Sequence, residues 1–245
     1  MTRRPGRIVI TAVLAAAMLL AGGCSIIPEG DNTATVEAAP TAAPEVSQNP
    51  DDTDGAPLEI ARDVRPYGAG YIVYPRVFGQ TAETINTAVC DAVAQRAREY
   101  AGAIFTRYRI EYNDDGIYSI LISVHDFETD ELLFLVPLTF DSITGERRRI
   151  SDYLFDDTET WRTVLPDMIT EQAELSNMTL LSDIAPITDE QDFYITNRYI
   201  VIVYRLYEVA TYSAGSPEFR LPISELRQYI REGSALLRLL TEEAQ

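Results

Sequence analysis

The segment RYRIEYNDDGIYSILISV, from Arg107 to Val124, decides the fold class of this chain. Tyr108, Ile110 and Tyr112 alternate with charged residues, and after the turn apolar residues again alternate with serines and a leucine. The turn at 113–116 reads Asn-Asp-Asp-Gly, residue types that accept the positive φ angles of a tight hairpin. The segment therefore predicts an antiparallel hairpin with one apolar face.

The rest of the globular region mixes strand and helix patterns. Predicted strands lie at 58–74 (broken at Pro66 and 68–70), 131–141, 192–196 and 199–204. Predicted helices lie at 81–104, 158–176 and 223–230, and 234–240 is a candidate extension of the last helix past Gly233. Thr81 is the expected N-cap of the first helix, and Pro166 predicts either a kink in the second helix or a start near Arg162. Without a regular βαβ alternation, we predict an α+β fold: a mostly antiparallel sheet packed with two main helices and a short C-terminal helix. No internal repeat is evident.

The N-terminus has the pattern of an export signal. A basic MTRRPGR is followed by the apolar stretch IVITAVLAAAMLL, which is short for a spanning helix. The stretch ends in LAGGC at 20–24, which resembles the lipobox of bacterial lipoproteins. That resemblance implies cleavage between Gly23 and Cys24 and lipidation of Cys24. We predict a signal peptide at 1–23 and a protein anchored in the cell membrane through Cys24, facing outward; an uncleaved anchor helix would leave the domain on the same side.

The charge of the chain is strongly acidic. Residues 24–57 are rich in Ala, Pro and Thr, contain seven acids and no base, and predict a disordered tether. Three arginines and these seven acids precede residue 58, so the chain's net charge of −18 leaves −14 on a single domain at 58–245. Such a surface repels nucleic acid and would attract a basic partner.

Few residues are candidates for chemistry. His125 is the single histidine, and a Ser-His-Asp triad with Asp126 and Ser119 or Ser123 is formally possible, but no nucleophile-elbow pattern accompanies it. Cys90 is interpreted as a semi-buried filler. One histidine without paired cysteines does not make a common zinc site, and no phosphate loop or dinucleotide fingerprint occurs. We therefore predict no catalytic residue, no metal and no cofactor.

Three segments together resemble one protein family. They are VYPRVFG at 73–79 with Ile85-Asn86 after it, FDSITG at 140–145 with ISDYL at 150–154, and a closing set of FYIT at 193–196, IVY at 202–204, YEVA at 207–210, YSAG at 212–215 and PEF at 217–219 with Leu221-Pro222. The set is similar to the extracytoplasmic domain of RsiV-type anti-sigma-V factors, a domain-of-unknown-function family. A similar module precedes the catalytic domain of some peptidoglycan deacetylases.

The resemblance implies a non-enzymatic binding module, because the domain of RsiV binds lysozyme. The expected partner is a wall hydrolase such as lysozyme, another basic protein or a cell-wall glycan. Only seven residues precede the apolar run, so we expect no sigma-binding segment, and a deacetylase domain is not expected either. Two other functions stay open: a structural or assembly lipoprotein docking on a membrane protein, and a wall-active hydrolase or deacetylase.

Six residues are predicted to contact a partner: His125, Asp126, Glu128, Tyr207, Glu208 and Tyr212. The first three belong to an acidic stretch at 124–130, where relatives commonly carry a Gly-Ala-His-like stretch. The others follow the apolar strand at 199–204. For the segment 204–208 itself we favour a strand exit into an ordered loop, with Glu208 bracing the turn.

Overall fold

In a computed structural model of the chain, residues 55–98, 100–154, 160–211 and 214–242 are described. Gly23, Cys24, the predicted tether up to residue 54, and Tyr212 lie outside these residues. The strands are β1 (Ile60–Tyr67), β2 (Gly70–Val77), β3 (Ile104–Asp114), β4 (Ile117–Asp126), β5 (Leu132–Asp141), β6 (Phe193–Ile195), β7 (Tyr199–Val203) and β8 (Glu218–Pro222). The helices are α1 (Ala82–Ala97), α2 (Thr160–Leu175) and α3 (Leu236–Glu242).

These strands form two sheets. The first has the order β1-β2-β3-β4-β5, with antiparallel pairs except for the parallel pair β2–β3, and the second has the antiparallel order β6-β7-β8. The predicted α+β class is confirmed. No helix in the described ranges is both long enough and apolar enough to cross a membrane.

The predicted β3–β4 hairpin is confirmed, but the prediction that only one of its faces is apolar is wrong. Asp115 and Gly116 have the positive φ angles that the turn sequence predicts, 52° and 81°. The even-numbered residues of β4 from Tyr118 to Val124 face α1, as expected. Leu121, on the predicted solvent face, is also buried, because β6 and β7 pack on that side through Tyr194 and Val201.

A polar contact joins the two sheets where β6 meets β4. Ser119, fully buried, accepts a hydrogen bond from the Ile195 backbone N–H at 2.8 Å, and its hydroxyl lies 2.9 Å from that of Thr139. The serine thus satisfies a backbone donor that would otherwise lie unpaired between the sheets. This position excludes Ser119 as the nucleophile of a triad.

Helix α1 packs on the first sheet through the predicted stripe, with Ile85, Val89 and Val93 fully buried. It ends at Ala97, not near residue 104, because Ile104 enters the core as the first residue of β3. Thr81 is the N-cap by position but makes no capping bond: its hydroxyl donates to the Ser142 carbonyl at 3.2 Å.

Helix α2 covers the second core, with Trp161, Leu165 and Ile169 buried against the second sheet. It begins at Thr160, two residues from the predicted start near Arg162, and continues through Pro166. Pro166 has no N–H for the Arg162 carbonyl, and the Ile187 backbone N–H supplies that bond instead at 3.0 Å.

The C-terminal segment departs from the predicted helix at 223–230. Only a single 3₁₀ turn forms there, at Arg227–Tyr229, and α3 follows after Gly233, whose φ is 78°. Leu236 and Leu239 of α3 complete the second core. The predicted short C-terminal helix therefore exists, but further along the chain.

Candidate functional site

The loop between β4 and β5, residues 126–131, carries four acids and is called here the acidic loop. Asp126 holds it in shape: one carboxylate oxygen accepts the backbone N–H groups of Glu128 at 2.9 Å and Thr129 at 2.7 Å. Asp130 closes the loop with a φ of 59°, and the Asp126 N–H donates to the Glu131 carbonyl at 2.9 Å. Glu128 is exposed and makes no side-chain hydrogen bond to a described residue.

The loop between β5 and the following segment, residues 141–146, repeats this arrangement. Asp141 accepts the N–H groups of Ile143 and Thr144 at 2.9 and 2.8 Å, and donates its own N–H to the Glu146 carbonyl at 2.9 Å. Gly145, with a φ of 77°, stands where the acidic loop has Asp130. The expectation of no internal repeat is therefore wrong at the scale of one loop, since the sequence pattern D-x-x-T-x-E occurs at both ends of β5.

The carboxylate of Asp126 stays ionised well into the acid range. The Tyr100 hydroxyl donates to its second oxygen, and this bond is the largest cause that lowers the pKa of Asp126 to about 2; the Thr129 N–H and hydroxyl add to the effect. Because its two oxygens are used inside the protein, Asp126 shapes the acidic loop.

We expect this bond to appear in the acid dependence of stability. Between the ordinary Asp pKa of 3.8 and the folded value of about 2, only the unfolded chain binds the proton, so stability present above 3.8 is lost as the pH falls to about 2. Tyr100→Phe removes the largest cause, and its free energy of unfolding should lie below that of the wild type at neutral pH and approach it near pH 2. Urea unfolding along this range measures the difference; a difference that stays constant with pH would contradict this account.

An aromatic row crosses three strands beside the acidic loop. Tyr71 on β2, Phe105 on β3 and His125 on β4 are register partners, with ring centroids 5.9 and 5.1 Å apart. Phe127, from the acidic loop, meets the Tyr71 and Phe105 rings edge-on at 5.9 and 6.4 Å and is 47% exposed. We call these four residues the aromatic row.

The register of the aromatic row depends on the parallel pairing of β2 with β3. Thr106 accepts the Val73 N–H at 2.7 Å and donates its hydroxyl to the Val73 carbonyl at 2.6 Å, which holds β2 against β3. Glycine is required at Gly70, where a Cβ would lie 1.8 Å from the Ile104 carbonyl oxygen. Both contacts bring Tyr71 beside Phe105.

His125 is fixed on both ring nitrogens. Its Nε2 lies 3.1 Å from the Ser123 hydroxyl, and its Nδ1 lies 3.1 Å from the Asp130 carbonyl and 3.3 Å from the Asp130 carboxylate. The acid beside the imidazole is thus Asp130, not Asp126. Ser123 pairs in register with Arg107 and Leu135 in the interior of the sheet, so its backbone does not form the free N–H donors that stabilise an oxyanion. The contacts orient the ring within the aromatic row.

Arg107 connects the aromatic row to the acidic loop. Its guanidinium lies 5.0 Å from the centre of the Phe105 ring and pairs with the Asp130 carboxylate at 3.0 Å. Both charged side chains are more than half exposed, so the ion pair itself contributes little to stability. The resulting surface combines apolar rings with exposed acids.

Tyr207 and Glu208, two of the other predicted contact residues, lie in a separate corner after β7. Glu208 accepts the Arg205 N–H at 2.8 Å, which confirms that it braces this turn. Tyr204 is buried against Phe219, whereas Tyr207 is 60% exposed with a φ of 64°.

Comparisons with known proteins agree with the resemblance at the level of a domain of unknown function. A family model described as "Protein of unknown function (DUF3298)" matches residues 145–224, about a third of the chain. This range contains the third segment of the resemblance and part of the second. A search of curated proteins finds no match. Among the residues that the structure describes, no group of three or more His, Cys, Asp or Glu is placed to hold a metal ion.

Two solved structures share the fold. One is a member of the DUF3298 family from Bacteroides fragilis NCTC 9343, with a TM-score of 0.52 and 13% identity over 73% of this chain and 95% of that chain. The other is a DUF3298 family protein from Pseudomonas aeruginosa PAO1, with a TM-score of 0.52 and 14% identity over 75% of this chain and 98% of that chain. At these identities the likeness concerns the fold alone.

Proposed function

We propose that this protein is a lipid-anchored, non-enzymatic binding module of the cell envelope that recognises a basic wall hydrolase of the lysozyme kind. Cys24 would carry the lipid, and the aromatic row with the acidic loop would form the binding surface. The RsiV-type resemblance supplies the candidate partner.

One observation carries the proposal: an exposed aromatic ring and an exposed acid adjoin on a rigid sheet. Phe127 and Glu128 are neighbours in the acidic loop, both are exposed, and the sheet and Asp126 hold their backbone. Aromatic side chains supply much of the affinity of protein interfaces, and acidic groups speed encounter with a basic partner. The net charge of −14 on the domain adds long-range attraction.

A wall glycan is a second candidate. The rings of Tyr71 and Phe105 lie side by side across neighbouring strands, and sugar rings stack their C–H faces on aromatic rings. A glycan would not need the acids of the loop, which separates the two candidates experimentally.

The test measures binding of lysozyme to the domain at low and at physiological salt. We expect Phe127→Ala with Glu128→Gln to weaken binding at least about tenfold, because an interface aromatic is removed together with a charge. The wild-type affinity should fall as salt screens the acidic surface.

The control is a matched pair on α2. Leu175 is 79% exposed beside the exposed Glu174, so Leu175→Ala with Glu174→Gln removes one apolar side chain and one acid from a different surface. We expect this variant to bind as the wild type does. Equal weakening by both pairs, or no retention of lysozyme at either salt concentration, would refute the lysozyme proposal; retention of wall glycan instead would favour the second candidate.

A further inference from the structure

A cleft of about 600 Å³ lies between α1, β5 and the corner after β7. This size is typical of sites for small ligands. The cleft is distinct from the aromatic row, which lies across β2, β3 and β4.

The cleft contains two arginines, Arg147 and Arg205, that no acid of the described residues contacts directly; Asp192 and Glu190 attract Arg147 from beyond ion-pair distance. Arg96 is paired with Asp192, but the side chains of Arg147 and Arg205 make no ion pair or hydrogen bond with a described residue. With Glu190 included, the lining carries three cations and two anions, a net positive charge in a domain of net charge −14. An anionic group is the ligand chemistry that this excess of guanidinium fits.

One wall of the cleft is apolar. Leu133, Phe134 and Val136 line it from β5, and Leu206 from the corner. The remaining lining supplies amide and carboxylate groups, among them Gln95 and Glu190, which a plain hydrocarbon chain would leave unused. The ligand therefore needs apolar side chains, amide groups and one carboxylate.

We infer that the cleft binds a short apolar peptide by its C-terminal carboxylate, with Arg147 and Arg205 as the carboxylate-binding residues. A guanidinium donates two parallel hydrogen bonds to a carboxylate, which a C-terminal amide cannot accept with the same charge complementarity. Arg147 also lines a neighbouring cavity of about 240 Å³ with Arg148 and Arg149. This site is independent of the lysozyme proposal.

The experiment compares N-acetyl-Leu-Ala-Ala as free acid and as C-terminal amide, by calorimetry on the intact domain. We expect the free acid to bind at least about tenfold more tightly than the amide. Arg147→Gln and Arg205→Gln should each remove most of that preference, because each deletes a donor to the carboxylate. Arg227→Gln, an exposed arginine at the 3₁₀ turn before α3, makes the same charge change elsewhere and should bind as the wild type does.

Three results would overturn the inference. They are equal binding of acid and amide, no binding of the free acid at millimolar concentrations, and an unchanged preference in both cleft variants. Octanoate is a further arm, since binding of octanoate without the peptide would assign the cleft to a fatty carboxylate. The exposed arginines are not part of the core, and thermal unfolding of each variant checks that the fold is intact.

Discussion

Asn86→Ala should lower the free energy of unfolding by about 4 kcal/mol, because it leaves two buried backbone groups without partners. Asn86, on α1, accepts the Val77 N–H at 2.9 Å and donates to the Val77 carbonyl at 3.0 Å, which closes the end of β2. Val77 is fully buried and Asn86 is 9% exposed, so water does not replace either bond. Urea unfolding at neutral pH measures the loss.

Asn113 provides the matched control. It makes the same two bonds to a single residue, accepting the Leu58 N–H at 3.0 Å and donating to the Leu58 carbonyl at 2.9 Å. Both residues are partly exposed, so water can replace the amide, and Asn113→Ala should cost about 1 kcal/mol. Equal losses in the two variants would show that burial does not set the cost.

The two hydrogen bonds of Asn86 to Val77 explain why Ile85-Asn86 belongs to the segments of the resemblance. Ile85 and Val89 predict a buried helix face from their spacing, and Asn86 falls beside them as a polar residue on that face. The spacing predicts the helix but not the bond, since Val77 meets Asn86 only when β2 ends against α1. A polar side chain on an apolar stripe is the signal that a buried backbone group needs a partner.

In the sheet, too, the sequence pattern predicts the elements but not the residues that pack against them. The period of two in β3 and β4 predicted the hairpin and its turn, because both depend on residues close in sequence. It could not show that Leu121 is covered, because the strands that cover it, β6 and β7, lie about 75 residues further along the chain. Likewise, the sequence predicts a kink at Pro166 or a start near Arg162, because the Ile187 N–H that binds the Arg162 carbonyl is remote in sequence.

The candidate site was predicted in part. The sequence predicts His125, Asp126 and Glu128 as contact residues from their residue types, and the structure places His125 in the aromatic row and the two acids in the acidic loop. Tyr71 and Phe105 were missed, because a parallel β2–β3 contact brings them together and neither strand predicts its neighbour. The cleft between α1, β5 and the corner after β7 could not be predicted for the same reason, because Arg147 and Arg205 are far apart in the chain and line one cleft only in the fold.

The loop at 141–146 shares the pattern D-x-x-T-x-E with the acidic loop, so the sequence alone could have predicted its similar structure. Comparison of the two loops gives a testable prediction. Gly145→Ala should lower the free energy of unfolding by about 3 kcal/mol. The glycine has a φ of 77°, where alanine is strained, and a Cβ would lie 3.1 Å from the Thr81 Cβ and 3.3 Å from the Thr84 Cβ at the start of α1. Denaturant unfolding measures the loss.

Position 130 of the acidic loop corresponds to position 145. A substitution there separates the effect of backbone strain on stability from the effect of the contact with α1. Asp130 occupies it with a φ of 59° and already carries a Cβ, so Asp130→Ala places the same residue in the same kind of turn without a new clash. It removes the exposed ion pair with Arg107 and the carboxylate contact with His125 Nδ1, which keeps its contact with the Asp130 carbonyl, and we expect a loss below about 1 kcal/mol. If both substitutions cost the same, the turn alone sets the requirement at this position; if only Gly145→Ala is costly, the FDSITG segment is a docking point for α1, and its place in the resemblance follows from packing and not from binding.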